Sequence, residues 1–281
     1  MTATRARLLY VTDLAYPARG RRYCDEDIFL TSRLRGEFDV ALCHPEDAVA
    51  LMDAFDAVVV RNSGPVLAHP GAYAAFRERA AARGTRVYNQ LTGRADMAGK
   101  QYLTELTAAG FPVIPTVDGV AGLDRLPEAG QYVVKPRLGA DSVGLRTVPA
   151  DRLRAVVEEC AAAGEDVLVQ PHVDFVHEVS FCFVDDTFQY ALYAPRPDRR
   201  WELVPCVPTP DDLAFARRFI DWNTVRHGVQ RVDACRTRDG GLLLVELEDL
   251  NPYLSLDALD EADREAFVTA FAASLRRFLA A

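Results

Sequence analysis

Short apolar runs alternate with amphipathic stretches through the first third of the chain. Arg7-Leu-Leu-Tyr-Val-Thr12 is an apolar run closed by Asp13, and an amphipathic stretch from Asp25 to about Arg35 follows. Phe38-Asp-Val-Ala-Leu-Cys43 reads as a second strand and residues 46–53 as a short helix. Ala57-Val-Val-Val60 is a third strand running into Arg61-Asn62-Ser63-Gly64. An Ala/Arg-rich helix from about Gly71 to Arg83 leads to Thr85-Arg-Val-Tyr88. This βαβαβαβ rhythm predicts a small parallel sheet covered by helices. Open sheets of this kind bind ligands at the carboxyl ends of their strands, which makes Asp13, Arg61 and Ser63 candidate substrate contacts. The plainer readings are sheet-end surface for Arg61, and loop solvation or helix capping for Asp13, Glu26 and Asp27. No G-x-G-x-x-G follows the first strand, so dinucleotide binding gains no support.

From Met97 the pattern changes. Residues 97–109 predict a helix carrying Lys100 and ended by Gly110. Gln131-Tyr-Val-Val-Lys-Pro136 is a strand, followed by a glycine-containing turn, Gly139 to Gly144, and a strand from Leu145 to Val148. A helix from Asp151 to about Ala163 precedes the strand Asp166-Val-Leu-Val-Gln170. Two hairpins follow, one pairing 178–184 with 188–193 and one pairing 229–236 with 241–248. A helix spans 211–222 between them, and a last helix covers roughly 260–280.

Two segments carry the chemistry. Lys135 ends a buried strand ahead of a turn with glycines at 139 and 144, an arrangement that suits a phosphate. A plain hairpin turn explains the same residues. In "VELEDLNP", Glu246 and Glu248 share one face of a strand, with Val245 and Leu247 on the other. If 229–236 pairs with 241–248, Arg231 and Asp233 lie opposite that acid pair. Three carboxylates and one arginine then converge on one sheet surface, which suits Mg²⁺ held jointly with phosphates. A solvated strand face is the alternative.

The bulk numbers narrow the classes. A chain of 281 residues has room for two or three packed subdomains, and a net charge of -9 without a basic stripe argues against binding a nucleic-acid backbone. The six cysteines form no C-x-x-C pair and the five histidines no H-x-x-x-H spacing, so a zinc site is not expected. No stretch of signal-peptide length opens the chain, and none approaches the ~20 apolar residues of a membrane span. The expected setting is the cytoplasm, with reduced thiols.

The order Lys100, Lys135-Pro136, Gly139 to Gly144, Gln170, Glu178, Arg231-x-Asp233, Glu246-x-Glu248 resembles the ATP-grasp ligases, which include D-alanine–D-alanine ligase and glutathione synthetase. "VELEDLNP" and "HEVSFCFVDDTFQYAL" are most similar to the subgroup that contains the cycloserine-forming ligase. The likeness runs from about Tyr88 to the C-terminus and more loosely through the N-terminal unit. It implies an α/β and α+β architecture: an N-terminal parallel α/β substrate domain (1–92), a central lid subdomain (93–167) and a C-terminal catalytic subdomain (168–281).

The resemblance also implies roles. Lys100 and Lys135 would hold ATP phosphates beneath a lid formed by Gly139, Ser142 and Gly144. Gln170, Pro171, His172 and Val173 would read adenine, and Glu178 would bind the ribose. Asp233, Glu246 and Glu248 would hold Mg²⁺, and Arg231 would face the transferring phosphoryl group. The chain departs from the family in two places. Glu248 stands where the usual metal pair has asparagine and Asn251 where the subgroup has glutamate, and Tyr190 to Ala194 lacks a basic residue. Both departures bear on the acceptor substrate, and Asn251 joins the substrate candidates.

The implied activity is an ADP-forming carboxylate–amine ligase acting on amino-acid-like metabolites through an acyl phosphate. Ring closure within one substrate and metabolite phosphorylation on the same scaffold stand as alternatives. Small-molecule substrates are the expected partners, with neither nucleic acid nor membrane. Ligases of this type are often dimers, which leaves a homodimer open.

Overall fold

The computed structural model describes residues 4–16, 23–61, 68–138, 144–196, 199 and 202–281. Four parallel strands, β1 (Arg7–Val11), β2 (Asp39–Cys43), β3 (Ala57–Val60) and β4 (Val87–Tyr88), form the first sheet in the order β2-β1-β3-β4. Leu8 and Tyr10 alternate with Leu9 and Val11, so each face of β1 feeds a separate core. Helix α1 (Tyr23–Leu34) buries Cys24, Asp27, Thr31 and Leu34 on one face, together with Glu26 and Leu30. Two acids on the buried side of a helix require partners, and these prove to matter below. A short helix α2 (Ala48–Leu51) and α3 (Pro70–Arg83) complete this layer; α3 stops at Gly84, whose φ of 62° is the left-handed cap.

The middle sheet is antiparallel, with β5 (Val117–Asp118), β6 (Gln131–Pro136), β7 (Arg146–Pro149) and β8 (Val167–Pro171) in the order β5-β8-β6-β7. β8 thus pairs in this sheet although it crosses the expected 167/168 division. In sequence, helix α4 (Tyr102–Ala108) follows the first sheet and precedes the middle one, and α5 (Leu153–Ala162) packs its Leu153, Val157 and Cys160 on the middle sheet.

The third sheet has the order β11-β10-β9-β12-β13, built from β9 (Phe175–Val184), β10 (Thr187–Tyr193), β11 (Val204–Cys206), β12 (Val229–Thr237) and β13 (Leu242–Glu248). It is packed on both faces. Phe181 and Phe183 meet helices α4 and α6 (Pro210–Trp222), while Cys182 and Val184 meet α7 (Glu261–Ala280). The i, i+3, i+4 series Phe267, Val268, Phe271, Ala272, Leu275, Phe278 on α7 also packs on Leu8, Tyr10 and Tyr88, so one core joins the first and third sheets. No helix among the described residues is long and apolar enough to cross a membrane.

Candidate active site

The β12–β13 ladder builds the centre of the site. Arg231 stands opposite Glu248 and Asp233 opposite Glu246, the register that strand alternation predicts. Beyond Asp233 the pairing skips Val245, and Ala234 faces Leu244. This bulge corrects the sequence reading: it is Leu244, not Val245, that joins Leu247 in the core behind the acids. β13 lies at a sheet edge, yet its outer groups are taken. Leu244 N donates to the Pro112 carbonyl (2.8 Å), Leu247 N to Tyr102 Oη (2.6 Å), and the Asp249 and Leu250 amides to Asp96 Oδ1 (2.6 and 3.0 Å). The strand carrying Glu246 and Glu248 is therefore fixed from both sides.

Cations meet these acids one by one. Arg231 donates Nε and Nη2 to Asp233 (2.9 and 2.8 Å), Nη2 to Glu248 (2.7 Å) and Nη1 to the Tyr253 carbonyl. Lys100 Nζ lies 2.5 Å from Glu246 Oε1. Sequence reading puts Lys100 on a helix; the structure instead places it in the turn ahead of α4, after Gly99 at φ 93°, where its amide donates to the Arg137 carbonyl at 3.1 Å. That bond brings Lys100 to the end of β6, beside Lys135. Burial and the Lys100 charge push the Lys135 ammonium down to about 8, against the pull of Glu246. Burial also pushes Glu248 up to about 8, with Asp233 and Glu246 acting the same way against Arg231 and Lys100. For Glu246 burial acts upward too, but Lys100, Lys135 and Arg231 outweigh it and hold its carboxyl below the usual range.

The other expected residues fall as follows. Gln170, Pro171 and His172 follow one another along and past β8. Gln170 Nε2 donates to Thr116 Oγ1 (2.8 Å), and the His172 amide to the Gln131 carbonyl (2.9 Å). Val173 is half-buried in the connection to β9, and Glu178 sits on β9 opposite Cys235. Gly144 has φ 77°, and a Cβ there would stand 2.8 Å from Pro136 Cγ, so the turn end is tied to the strand carrying Lys135. Gly139, Ser142 and Ser63 lie outside the described residues. Asn251 is buried, and its Nδ2 has no hydrogen-bond partner among the described residues.

Arg61 is not sheet-end surface. It is 3% exposed, and its Nη2 donates to Glu26 Oε1 (3.0 Å) and the Pro252 carbonyl (2.8 Å), with Asp27 3.6 Å from Nε. Glu26 and Asp27 are its buried partners rather than solvated caps. Glu26 also accepts the Leu254 and Leu256 amides (3.0 and 3.3 Å). The segment 252–256, whose Tyr253 carbonyl orients Arg231, is thus anchored by the first sheet. Asp13 sits apart from Arg61, paired with His69 at 3.1 Å.

Sequence reading missed two further residues. Asp249 is fully buried and accepts from the Ala95 and Met97 amides (3.0 and 2.8 Å) and Asn223 Nδ2 (3.0 Å). Asn89, also buried, donates Nδ2 to the carbonyls of Val229 (2.6 Å) and Asp249 (2.7 Å). The third acid in "VELEDLNP" is therefore a pin between chain segments. Its break from the alternation of Glu246 and Glu248 was the available signal.

A parallel α/β layer, two antiparallel sheets, and lysines and acids meeting between them make up the fold of the ATP-grasp ligases, and the chain has that fold. Among curated proteins it is 28% identical over 250 residues to the cycloserine biosynthesis protein DcsG of Streptomyces lavendulae, covering 76% of this chain and 82% of that one. The crystal structure of D-cycloserine synthetase DcsG superposes with a TM-score of 0.75 at 25% identity, covering 96% of this chain and 99% of the other. The ATP complex of D-alanine–D-alanine ligase from Bacillus anthracis has the same fold, with a TM-score of 0.63 at 14% identity over 97% and 98% of the two chains. No protein-family profile matches the chain.

Proposed function

We propose that this enzyme is an ADP-forming ligase that joins a carboxylate to a nitrogen on amino-acid-like substrates, with ring closure of the cycloserine kind as its narrower form. The observation that carries the reading is the meeting of Lys100, Lys135 and Arg231 with Asp233, Glu246 and Glu248 between two sheets. Similarity to a cycloserine biosynthesis protein and to a ligase solved with ATP supports it.

Lys100 and Lys135 hold the ATP phosphates, under a lid made by Gly139, Ser142 and Gly144. Gln170 to Val173 read the base and Glu178 the ribose. The oxygen-only set Asp233, Glu246 and Glu248 fits Mg²⁺, and one related ligase was solved with Mg and ADP. When bound, that ion neutralises phosphate charge. The substrate carboxylate attacks the γ-phosphorus, giving an acyl phosphate and ADP; a nitrogen then attacks the acyl carbon and phosphate leaves. Arg231, held on three sides, stabilises the charge that develops at each step without having to reorient. The chain supplies position and charge, and no covalent nucleophile is required.

Substrate binds between the N-terminal domain (1–92) and the catalytic subdomain (168–281), with 93–167 closing over the nucleotide. The Asn251 amide and Asp13 serve as its contacts, with Ser63 kept as a further candidate from the sequence, while Arg61 acts from behind through the 252–256 segment. No disulfide joins any of the six cysteines among the described residues, which suits a reducing cytoplasm. The test is a screen of amino acids, singly and in pairs, that measures both ADP and free phosphate. Equal, Mg²⁺-dependent release of the two is expected. Phosphate retained on an organic product, or no Mg²⁺-dependent ATP uptake by folded protein, would overturn the reading.

A further inference from the structure

The first sheet ends in a second constellation, assembled from three separate elements. Asp13 follows β1, His44 follows β2, and His69 is the residue before α3. β1 and β2 are parallel neighbours, so their following residues lie side by side, and α3 packs over the turn Pro45–Asp47. Asp13 Oδ2 lies 3.1 Å from His69 Nε2, and Asp13 Oδ1 lies 3.7 Å from His44 Nε2. One ligand atom from each of the three residues lies within 4.8 Å of the others. Glu46 Oε1 is 3.5 Å from the other nitrogen of His69.

We propose that Asp13, His44 and His69 form a binding site for one divalent transition-metal ion of the zinc type. Two imidazoles and a carboxylate are the donor set of zinc, cobalt, nickel and non-haem iron, and differ from the all-oxygen set suited to Mg²⁺. Tetrahedral ligands 2.0–2.1 Å from zinc stand about 3.3 Å from one another. The 3.1 and 3.7 Å separations, made to the two carboxylate oxygens of Asp13, bracket that value, and one donor from each residue already lies within 4.8 Å of the others. Glu46 Oε1, 3.5 Å from His69 Nδ1, favours a proton on that nitrogen and leaves Nε2 as the ligand atom. His44 Nδ1 now accepts from the Glu46 amide at 3.3 Å. Binding through His44 Nε2 moves its proton to Nδ1 and exchanges that contact for one to solvent, which the ring's 37% exposure allows. Three protein ligands leave one position open at the carboxyl ends of the strands, where such sheets bind ligands. The site shares no ligand with the Mg²⁺ acids; Asp13, a candidate substrate contact in the proposed reaction, is the one residue the two readings have in common.

The experiment is a Co²⁺ titration of the full-length, untagged, chelator-treated protein, followed by visible absorption. One equivalent should give d–d bands without the near-ultraviolet charge transfer that any of the six cysteines would add as thiolate ligands, and Zn²⁺ should displace it. His44→Gln and His69→Gln should each abolish the stoichiometric band while leaving MgATP binding intact, and Glu46→Gln should weaken Co²⁺ binding about tenfold. With the wild type alone, Zn²⁺ should shift the side-chain ¹⁵N resonances of two of the five histidines. That measurement holds even where a variant fails to fold. Absence of d–d bands, bands that persist in the double glutamine variant, a thiolate signature, or unshifted histidines would each leave the three residues as a hydrogen-bonded cluster and overturn the site.

Discussion

Arg231 and Glu248 face each other across the β12–β13 ladder and are joined at 2.7 Å, with Asp233 held by the same guanidinium at 2.8 Å. A planar fork of donors makes this arrangement, and the Tyr253 carbonyl completes it. The arginine is thereby fixed in place before any substrate charge has to be met. The same contacts keep two buried carboxylates from facing one another uncompensated.

Replacing Arg231 by lysine keeps the charge but loses the fork. Turnover should fall on the order of 10²-fold or more, in the range seen when one preorganised donor to a developing oxyanion is lost. ATP affinity should change far less, because Lys100 and Lys135, the proposed phosphate contacts, are untouched. Steady-state ADP release and calorimetric ATP binding separate the two. Near-normal turnover in a folded variant would remove Arg231 from the mechanism.

A second expectation concerns the order of binding. Glu246 is already paired with Lys100, and Asp233 and Glu248 with Arg231. In the proposed binding mode, Mg²⁺ arriving alone would compete with these protein cations, whereas the triphosphate would give the lysines and arginine a new anion and free the acids. Mg²⁺ should therefore bind roughly tenfold or more tightly in the presence of a non-hydrolysable ATP analogue than without it. Calorimetric titrations with and without the analogue measure the ratio, and equal affinities would show that the acids and the nucleotide are uncoupled.

Much of this arrangement was legible in the sequence because period-2 alternation is local. It placed Arg231 and Asp233 opposite Glu248 and Glu246, and the apolar runs located β1, β3 and β6. What was not legible depends on distant partners. The two-residue strand Val117–Asp118 exists only because β8 lies beside it, and the bulge at Val245 resolves a conflict between the acid face and the core behind it. Arg61 read as a substrate contact or sheet-end surface, and its burial was not legible because its partners Glu26 and Asp27 lie on another element. The Asp13, His44 and His69 group follows no sequence spacing at all, since strand order alone assembles it.

The Lys135 ammonium gives a proton-linkage test. Burial and its neighbour Lys100 hold it down to about 8, so around pH 8 it is only partly charged. Phosphate oxygens favour the charged form and raise its pKa, so ATP binding there must take up protons. Calorimetry at pH 8 in buffers of different ionisation enthalpy should report proton uptake, and Lys135→Arg, which stays protonated, should take up fewer protons than the wild type, with the contribution of Glu248, also near 8, common to both. Identical uptake in wild type and variant would assign the proton elsewhere.

Glu26 supplies a stability test of the anchor between the first sheet and the 252–256 segment. Burial raises its carboxyl from the usual 4.5 to about 7, with Asp27 adding to the shift, against Arg61 and the Leu254 and Leu256 amides. Below pH 4.5 the group is protonated whether the chain is folded or not. Between 4.5 and 7 the folded chain keeps a proton that the unfolded chain has lost, so stability falls as pH rises through this window and levels off above it. The full effect is on the order of 3 kcal/mol at 1.36 kcal/mol per pKa unit. Glu26→Gln cannot titrate, and other groups cancel in the difference, so urea denaturation of both proteins from pH 4.5 to 8 isolates the term. The stability of the wild type relative to the variant should decline up to pH 7 and then stay flat. Parallel curves across the whole range would mean that Glu26 is ionised throughout, and that Arg61 and the two amides outweigh its burial.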